Sequence, residues 1–270
     1  MASPRAELKR LGLAPSRARG QNFIADPNIA KKLAGLIRAQ ADWPVLEIGP
    51  GLGAMTKNLL SSGAVVYAIE LDRGLAESLR TWPEAESGRL KVMEADALDL
   101  DLRKDLGPGP FLACGNLPYN ISTPLLLWYM REAEAAPKAV FMLQREMAQR
   151  LCASPGGRDY GRLTVAASLW HHVSPLMDVP PEAFSPRPKV HSRAILLTPK
   201  ESPPGVSRDR LGRLTAAAFH ARRKTIINNL AARYGKERAL AALSELGISP
   251  GLRPETLAPE IFASLALALE

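Results

Sequence analysis

The sequence predicts an α/β protein: a mostly parallel, doubly wound sheet with helices on both faces, followed by a small all-helical C-terminal domain. Three observations lead there. Up to about residue 145, short apolar runs alternate with stretches of helical periodicity, the pattern of consecutive βαβ units. The runs are apolar almost without interruption, as strands covered on both faces must be. Beyond the Pro-rich stretch 199–206 the strand signal vanishes and only helical patterning remains.

Residues 1–20 are basic, lack periodicity and are expected to form a flexible arm. Asp26-Pro27 supplies an N-cap and a first-turn proline, after which Ile29, Leu33, Leu36 and Ile37 share one helical face. Strands are expected at 45–48, 65–71, 90–94, 111–114 and 139–143, with helices at 54–61, 73–81 and 123–134 between them. Helices at 146–153 and 162–170 follow, then strands near 173–179 and 192–197 that should extend the same sheet. Four more helices are expected at 208–221, 224–233, 237–246 and 259–269. The reading divides the chain into an arm (1–20), a sheet domain (21–200) and a helical domain (201–270).

With 270 residues, 46% of them hydrophobic, the chain can bury a sizeable core. The formal net charge of +8 favours a polyanionic partner. Its distribution is uneven. Residues 41–105 hold 7 Lys/Arg against 12 Asp/Glu, whereas 206–238 hold 9 against 2 and the first 20 residues 5 against 1. An acidic middle with basic flanks suggests a small-molecule site framed by a nucleic-acid surface. The two cysteines, Cys114 and Cys152, exclude a disulfide framework and have no zinc-like spacing, which fits a reducing cytosol. The charged N-terminal stretch has no apolar core, so no secretory signal is expected. The longest apolar run, from Pro124 to Met130, is far shorter than the ~20 residues a membrane span needs, so no membrane association is expected.

Glu47-Ile48-Gly49-Pro50-Gly51-Leu52-Gly53 follows a predicted strand and opens a helix. Glycines there let the backbone approach a ligand without Cβ interference. Glu70, at the end of the second strand, can accept both hydroxyls of a ribose. Asp96, at the end of the third, can accept an adenine amino proton. Ligands of open α/β sheets bind at that carboxyl edge, so the three sites should converge. Gly49-x-Gly51-x-x-Ala54 also fits the dinucleotide fingerprint, which keeps a nicotinamide cofactor open. The second acid suits a nucleoside cofactor without phosphates, and therefore S-adenosylmethionine.

Asn116-Leu117-Pro118-Tyr119 stands at the end of the fourth strand. Asn116 brings a side-chain carbonyl, Pro118 a stiff turn, and Tyr119 a ring on which a base can stack. The four suit holding a planar, weakly basic amine against an electrophile; they also suit an ordinary turn. Arg222-Arg223-Lys224 falls at a predicted helix start, where cations oppose the helix dipole, and reads as a set of phosphate contacts. His171, His172, His191 and His220 lack ligand spacing, and no metal is expected.

The chain resembles the KsgA/RsmA-type rRNA adenine N6,N6-dimethyltransferases. The stretches that carry the resemblance are GQNFI (20–24), EIGPGLGAMT (47–56), IELD (69–72), EADAL (94–98), GNLPYNISTPLL (115–126), FMLQREMAQRL (141–151), YGRLTV (160–165), AFSPRPKVHS (183–192) and AFHARRKTIINNL (218–230). It implies a Rossmann-like class I methyltransferase sheet and a helical RNA-binding domain. By resemblance, Asn22 and Ile24 line the cofactor pocket, Gly49 and Gly51 lie against the methionine end, Glu70 takes the ribose and Asp96 the adenine. Asn116 touches both cofactor and target amine, with Leu117 and Pro118 completing the turn. Tyr119 and Phe184 sandwich a flipped adenine. Without the resemblance Phe184, in a proline-rich stretch, reads as a loop anchor. The implied substrate is two adjacent adenosines in a hairpin near the 3′ end of 16S-type rRNA, within an immature 30S-type particle, and the protein is expected to be a cytoplasmic monomer. Two alternatives remain: a large-subunit rRNA dimethyltransferase conferring antibiotic resistance, and an assembly factor with little turnover.

Overall fold

The computed structural model describes residues 3–16, 19–201 and 205–270. These divide into two compact units, residues 1–148 with 174–198, and residues 149–173 with 199–270. Among the described residues no helix is long and apolar enough to cross a membrane.

The first unit begins with α1 (Pro4–Arg10), β1 (Phe23–Ile24) and α2 (Pro27–Arg38). Its centre alternates β2 (Val45–Ile48), α3 (Ala54–Ser61), β3 (Val66–Glu70), α4 (Arg73–Arg80), α5 (Pro83–Glu86), β4 (Leu90–Glu94), α6 (Leu102–Asp105), β5 (Leu112–Asn116), α7 (Ser122–Glu132) and β6 (Lys138–Gln144). The chain passes through α8 (Arg145–Leu151) and α9 (Arg162–Trp170), then returns in β7 (His171–Val179), β8 (Phe184–Ser185) and β9 (Ser192–Pro199). The main sheet has seven strands in the order β4-β3-β2-β5-β6-β9-β7. The pairs among β4, β3, β2, β5 and β6 are parallel, and β9 runs antiparallel to β6. Strand order therefore reverses at β2, with β3 on one side and β5 on the other, which opens a crevice at the carboxyl edge.

Alternation along the strands sends side chains to two covered faces. Val45, Val66, Cys114, Val140 and Met142 pack with Leu33, Ile37 and Leu59 of α2 and α3. On the opposite face Phe141 meets Tyr129 of α7 edge to face at 5.1 Å. All four residues of β2 are buried. Asp26 caps α2 as the sequence predicts, its carboxylate accepting from the N–H groups of Asn28 and Ile29.

The N-terminal stretch is not the uniformly flexible arm that its composition suggests. Ser3 caps α1 through the Ala6 N–H, and Leu8 is buried with Phe23 and Leu75. A seven-residue helix held by one apolar side chain is too short to show periodicity. Residues 1–2 and 17–18 of that expected arm, and 202–204 of the expected linker, lie outside the described residues.

The second unit consists of α9 with α10 (Arg208–Ala218), α11 (Ile226–Tyr234), α12 (Lys236–Glu245) and α13 (Pro259–Leu269). Its division from the first unit does not fall at residue 200. Residues 149–173 go with the C-terminal helices because Val165, Leu169 and Trp170 of α9 share a core with Leu211, Leu214, Leu243 and Phe262. Phe219 stacks on Phe262 at 5.2 Å, and the Tyr160 hydroxyl donates to the Leu257 carbonyl at 2.9 Å.

Candidate active site

At the carboxyl edge of the parallel strands lies a cavity of about 300 Å³ in the first unit. The ends of four adjacent strands supply its polar groups. Glu47 and the glycine turn follow from β2, Glu70 closes β3, Asp96 stands two residues beyond β4, and Asn116 closes β5. The backbone pairing continues into the loops, with the Gly49 N–H donating to the Ile69 carbonyl and the Leu117 N–H to the Met142 carbonyl. Gly49 and Gly51 adopt φ of +65° and +60°. At Gly51 a Cβ would also stand 3.0 Å from the Phe23 ring, so both conformation and space require glycine there.

The Glu70 carboxylate anchors the turn from beneath. One oxygen accepts the Gly51 N–H at 3.0 Å and the other the Asp72 N–H at 2.8 Å, which leaves each oxygen a further lone pair. Burial raises its pKa above the ordinary carboxylate value, and the backbone N–H bonds oppose that shift. One Asp96 oxygen accepts the Leu98 N–H at 2.9 Å, which fixes the side chain at the start of a short 3₁₀ turn.

Asn116 is held from far away in the chain. Its Nδ2 donates to the Asn22 carbonyl at 2.8 Å, and Asn22 in turn bonds the Gly20 carbonyl through its own side chain. The bond orients the Asn116 amide. Its Oδ1 is buried and accepts no hydrogen bond from any described residue. A buried unsatisfied acceptor costs on the order of 1–3 kcal/mol, a cost that a donor brought by a ligand would remove. The Pro118 carbonyl is already engaged by the Ile121 N–H and the Ser122 hydroxyl. Tyr119 is fixed by a 2.5 Å bond between its hydroxyl and Ser192 Oγ on β9, and burial raises its phenol pKa.

The cavity therefore brings together Asn22, Ile24, Gly49, Gly51, Glu70, Asp96, Asn116, Leu117, Pro118 and Tyr119. Phe184 is not among its lining residues. It pairs with Ile24 across the β1–β8 ribbon, is only 4% exposed, and lines a neighbouring cavity instead. Arg222, Arg223 and Lys224 belong to the second unit and lie in the turn before Thr225, not in the first turn of a helix as the sequence suggests. Arg222 donates to the Arg158 carbonyl. Asn229, 2% exposed, bonds the Ala221 N–H and the Ala221 and Lys224 carbonyls, and so closes the turn.

Sequence reasoning missed three members of the site. Leu71, directly after Glu70, lines the cavity with half its surface exposed; an apolar residue beyond a strand-end acid was the available signal. Arg19 lines the wall and pairs with Asp72, a contact with no local signature. Glu47 belongs to the quoted glycine motif but was given no role.

Glu47 is completely buried. Burial pushes its carboxyl up to about 7, opposed by the Thr56 hydroxyl donating at 2.6 Å. An acid whose folded pKa is raised loses its proton earlier in the unfolded chain, so stability falls as pH rises from about 4.5 to about 7. A displacement from 4.5 to about 7 corresponds to roughly 3 kcal/mol. Glu47→Gln keeps an acceptor for Thr56 and removes the titration. Denaturant unfolding at pH 5 and pH 8 should show the wild type losing up to roughly 3 kcal/mol more than the variant across that interval. Equal pH dependence would disprove the assignment.

A sheet whose order reverses at β2, an antiparallel β9 beside β6, and a cavity at the carboxyl edge define a class I methyltransferase. Residues 16–270 match the family described as ribosomal RNA adenine dimethylase, and the chain belongs to that family. It is 40% identical over 259 residues, 95% of each chain, to the ribosomal RNA small subunit methyltransferase A of Shewanella sp. (strain MR-7). A crystal structure of a dimethyladenosine transferase from Plasmodium falciparum superimposes with a TM-score of 0.73 at 28% identity, covering 89% of this chain and 94% of that one. A 23S rRNA methyltransferase, ErmE, gives 0.63 at 29% identity, covering 92% and 99%. The protein is an rRNA adenine dimethyltransferase, and membership implies an S-adenosylmethionine-dependent reaction.

Proposed function

We propose that this protein methylates the N6 amines of two adjacent adenosines in a hairpin near the 3′ end of small-subunit rRNA, giving N6,N6-dimethyladenosine within an immature 30S-type particle, as a cytoplasmic monomer. The choice of the small subunit is supported by the similarity to small-subunit methyltransferases over 95% of the chain. The observation that carries the reading is the buried, unpartnered Asn116 Oδ1, held in place by the Asn22 carbonyl on an acid-lined cavity.

S-Adenosylmethionine supplies an electrophilic methyl group on a sulfonium sulfur. Glu70 takes the ribose hydroxyls with its remaining lone pairs, and Asp96 takes the adenine amine. The Gly49–Gly51 turn admits the methionine end, flanked by Asn22 and Ile24. Asn116 Oδ1 and the Leu117 carbonyl accept the two N6 hydrogens of the target. That pulls an amine whose lone pair is delocalised into the ring toward tetrahedral geometry, and aims the lone pair at the methyl. Transfer would form the N6–carbon bond as the methyl–sulfur bond breaks, its electron pair leaving on sulfur as a neutral thioether; the nitrogen, then cationic, is acidic enough to give its proton to water, so no general base is assigned. Positioning and fixed dipoles of this kind can lower a barrier by several kcal/mol. Tyr119 stacks on the swung-out base, and Phe184 is assigned to its other face from the side of the neighbouring cavity.

The test is transfer of labelled methyl from S-adenosylmethionine to purified immature small and large subunits, followed by nucleoside analysis. Label in N6,N6-dimethyladenosine of the small subunit is expected. Label only in the large subunit would favour a resistance-type activity, and no transfer to either would leave an assembly factor.

A further inference from the structure

A second cavity, of about 880 Å³, lies beside the first in the same unit. One side is α1, which contributes Arg5 and Lys9; the other is the 184–187 segment, which contributes Phe184 and Arg187. We propose that this cavity is a phosphodiester-binding subsite that holds RNA nucleotides flanking the target adenosine.

Three observations lead there. The first is charge. The described wall residues include Arg5, Lys9 and Arg187 and no acidic side chain, whereas the cofactor cavity is walled by Glu70 and Asp96, with its Arg19 paired to Asp72. Two adjoining cavities of opposite sign fit a cationic sulfonium cofactor in one and a polyanion in the other. The second is availability. Arg10 is paired with Glu7, Arg19 with Asp72 and Arg187 with Glu182. Arg5 and Lys9 are exposed, and among the described residues neither side chain makes an ion pair or hydrogen bond. They stand four residues apart on one helical face, where two like charges repel by a few tenths of a kcal/mol unless an anion lies between them. The third is continuity. Gly20, Gln21 and Asn22 line both cavities, and the Asn22 carbonyl orients Asn116. A strand held in the second cavity is thus one wall away from the acceptor assigned to the target amine. Anchoring of α1 through Leu8 gives the two cations a fixed position, which a flexible arm would not.

The inference rests on the proposed function, and its test separates the two. Binding of the full chain to small-subunit rRNA and to immature 30S-type particles is measured against salt, for the wild type and Arg5→Gln/Lys9→Gln. Loss of two phosphate contacts should lower the slope of log K against log salt by roughly 1.4–1.8. KM for the particle should rise, with kcat and cofactor affinity unchanged. A wild-type slope and KM in the variant, alongside a wild type that binds and methylates, would overturn the subsite alone. A defect seen on particles but absent on naked rRNA would assign the cavity to a protein partner and also overturn it. If the wild type transfers no methyl to adenosine, the proposed function falls and the subsite with it.

Discussion

Asn116→Ala is expected to lower kcat by about 10²–10³ while cofactor affinity changes little, because the substitution removes a preorganised acceptor that acts on the target amine. Asn116 is built for orientation. Its Nδ2 is spent on the Asn22 carbonyl, and only Oδ1 remains for a ligand. Cofactor contacts are spread over Glu70, Asp96 and the glycine turn, so one cavity wall can be truncated without emptying the pocket. Single-turnover methyl transfer gives the chemical step, and calorimetry with S-adenosylhomocysteine gives affinity. Loss of both in equal measure would make Asn116 a cofactor ligand and no more. Intact turnover would remove it from the reaction.

The same residue shows what local pattern can and cannot reveal. Its strand, its place at the carboxyl edge and its neighbours Pro118 and Tyr119 follow from one contiguous motif. The Asn22 carbonyl that fixes its rotamer lies 94 residues away, and nothing in either segment announces the pairing. The parallel sheet was legible because strands buried on two faces leave long apolar runs, and because parallel strands must alternate with covering helices. The β1–β8 ribbon was not, since two-residue strands have no period to detect. That ribbon buries Phe184, so its aromatic character alone did not tell whether it faces a ligand or the core. The helix at 162–170 was read correctly, but the membership of residues 149–173 in the second unit depends on what α9 packs against, and amphipathicity names no partner. The Glu70 carboxylate was expected to face a ribose; its bonds to two backbone N–H groups show a role that the sequence did not reveal, in shaping the glycine turn.

Neutralising Arg222, Arg223 and Lys224 together is expected to weaken RNA binding by about 10²-fold at 0.15 M salt and to reduce the salt slope by about 2.1–2.7, the range for three phosphate contacts. The structure changes the grounds for this expectation. The three residues do not oppose the dipole from within a helix; they project from a turn that ends at Thr225, the N-cap of α11. Asn229 ties that turn to itself by three bonds, and all three basic side chains remain exposed. A closed backbone bearing exposed cations loses little entropy on meeting a phosphate ladder, so each contact should count nearly in full. Arg222 already donates to the Arg158 carbonyl, a neutral partner that leaves its charge uncompensated. Glutamine at all three positions keeps donors for local bonds and removes only charge. Filter binding to small-subunit rRNA between 0.05 and 0.3 M salt measures the slope. A variant with the wild-type slope would take this turn off the RNA surface, whatever happened to its activity. A reduced slope with normal transfer to a free nucleoside acceptor would confine its role to docking.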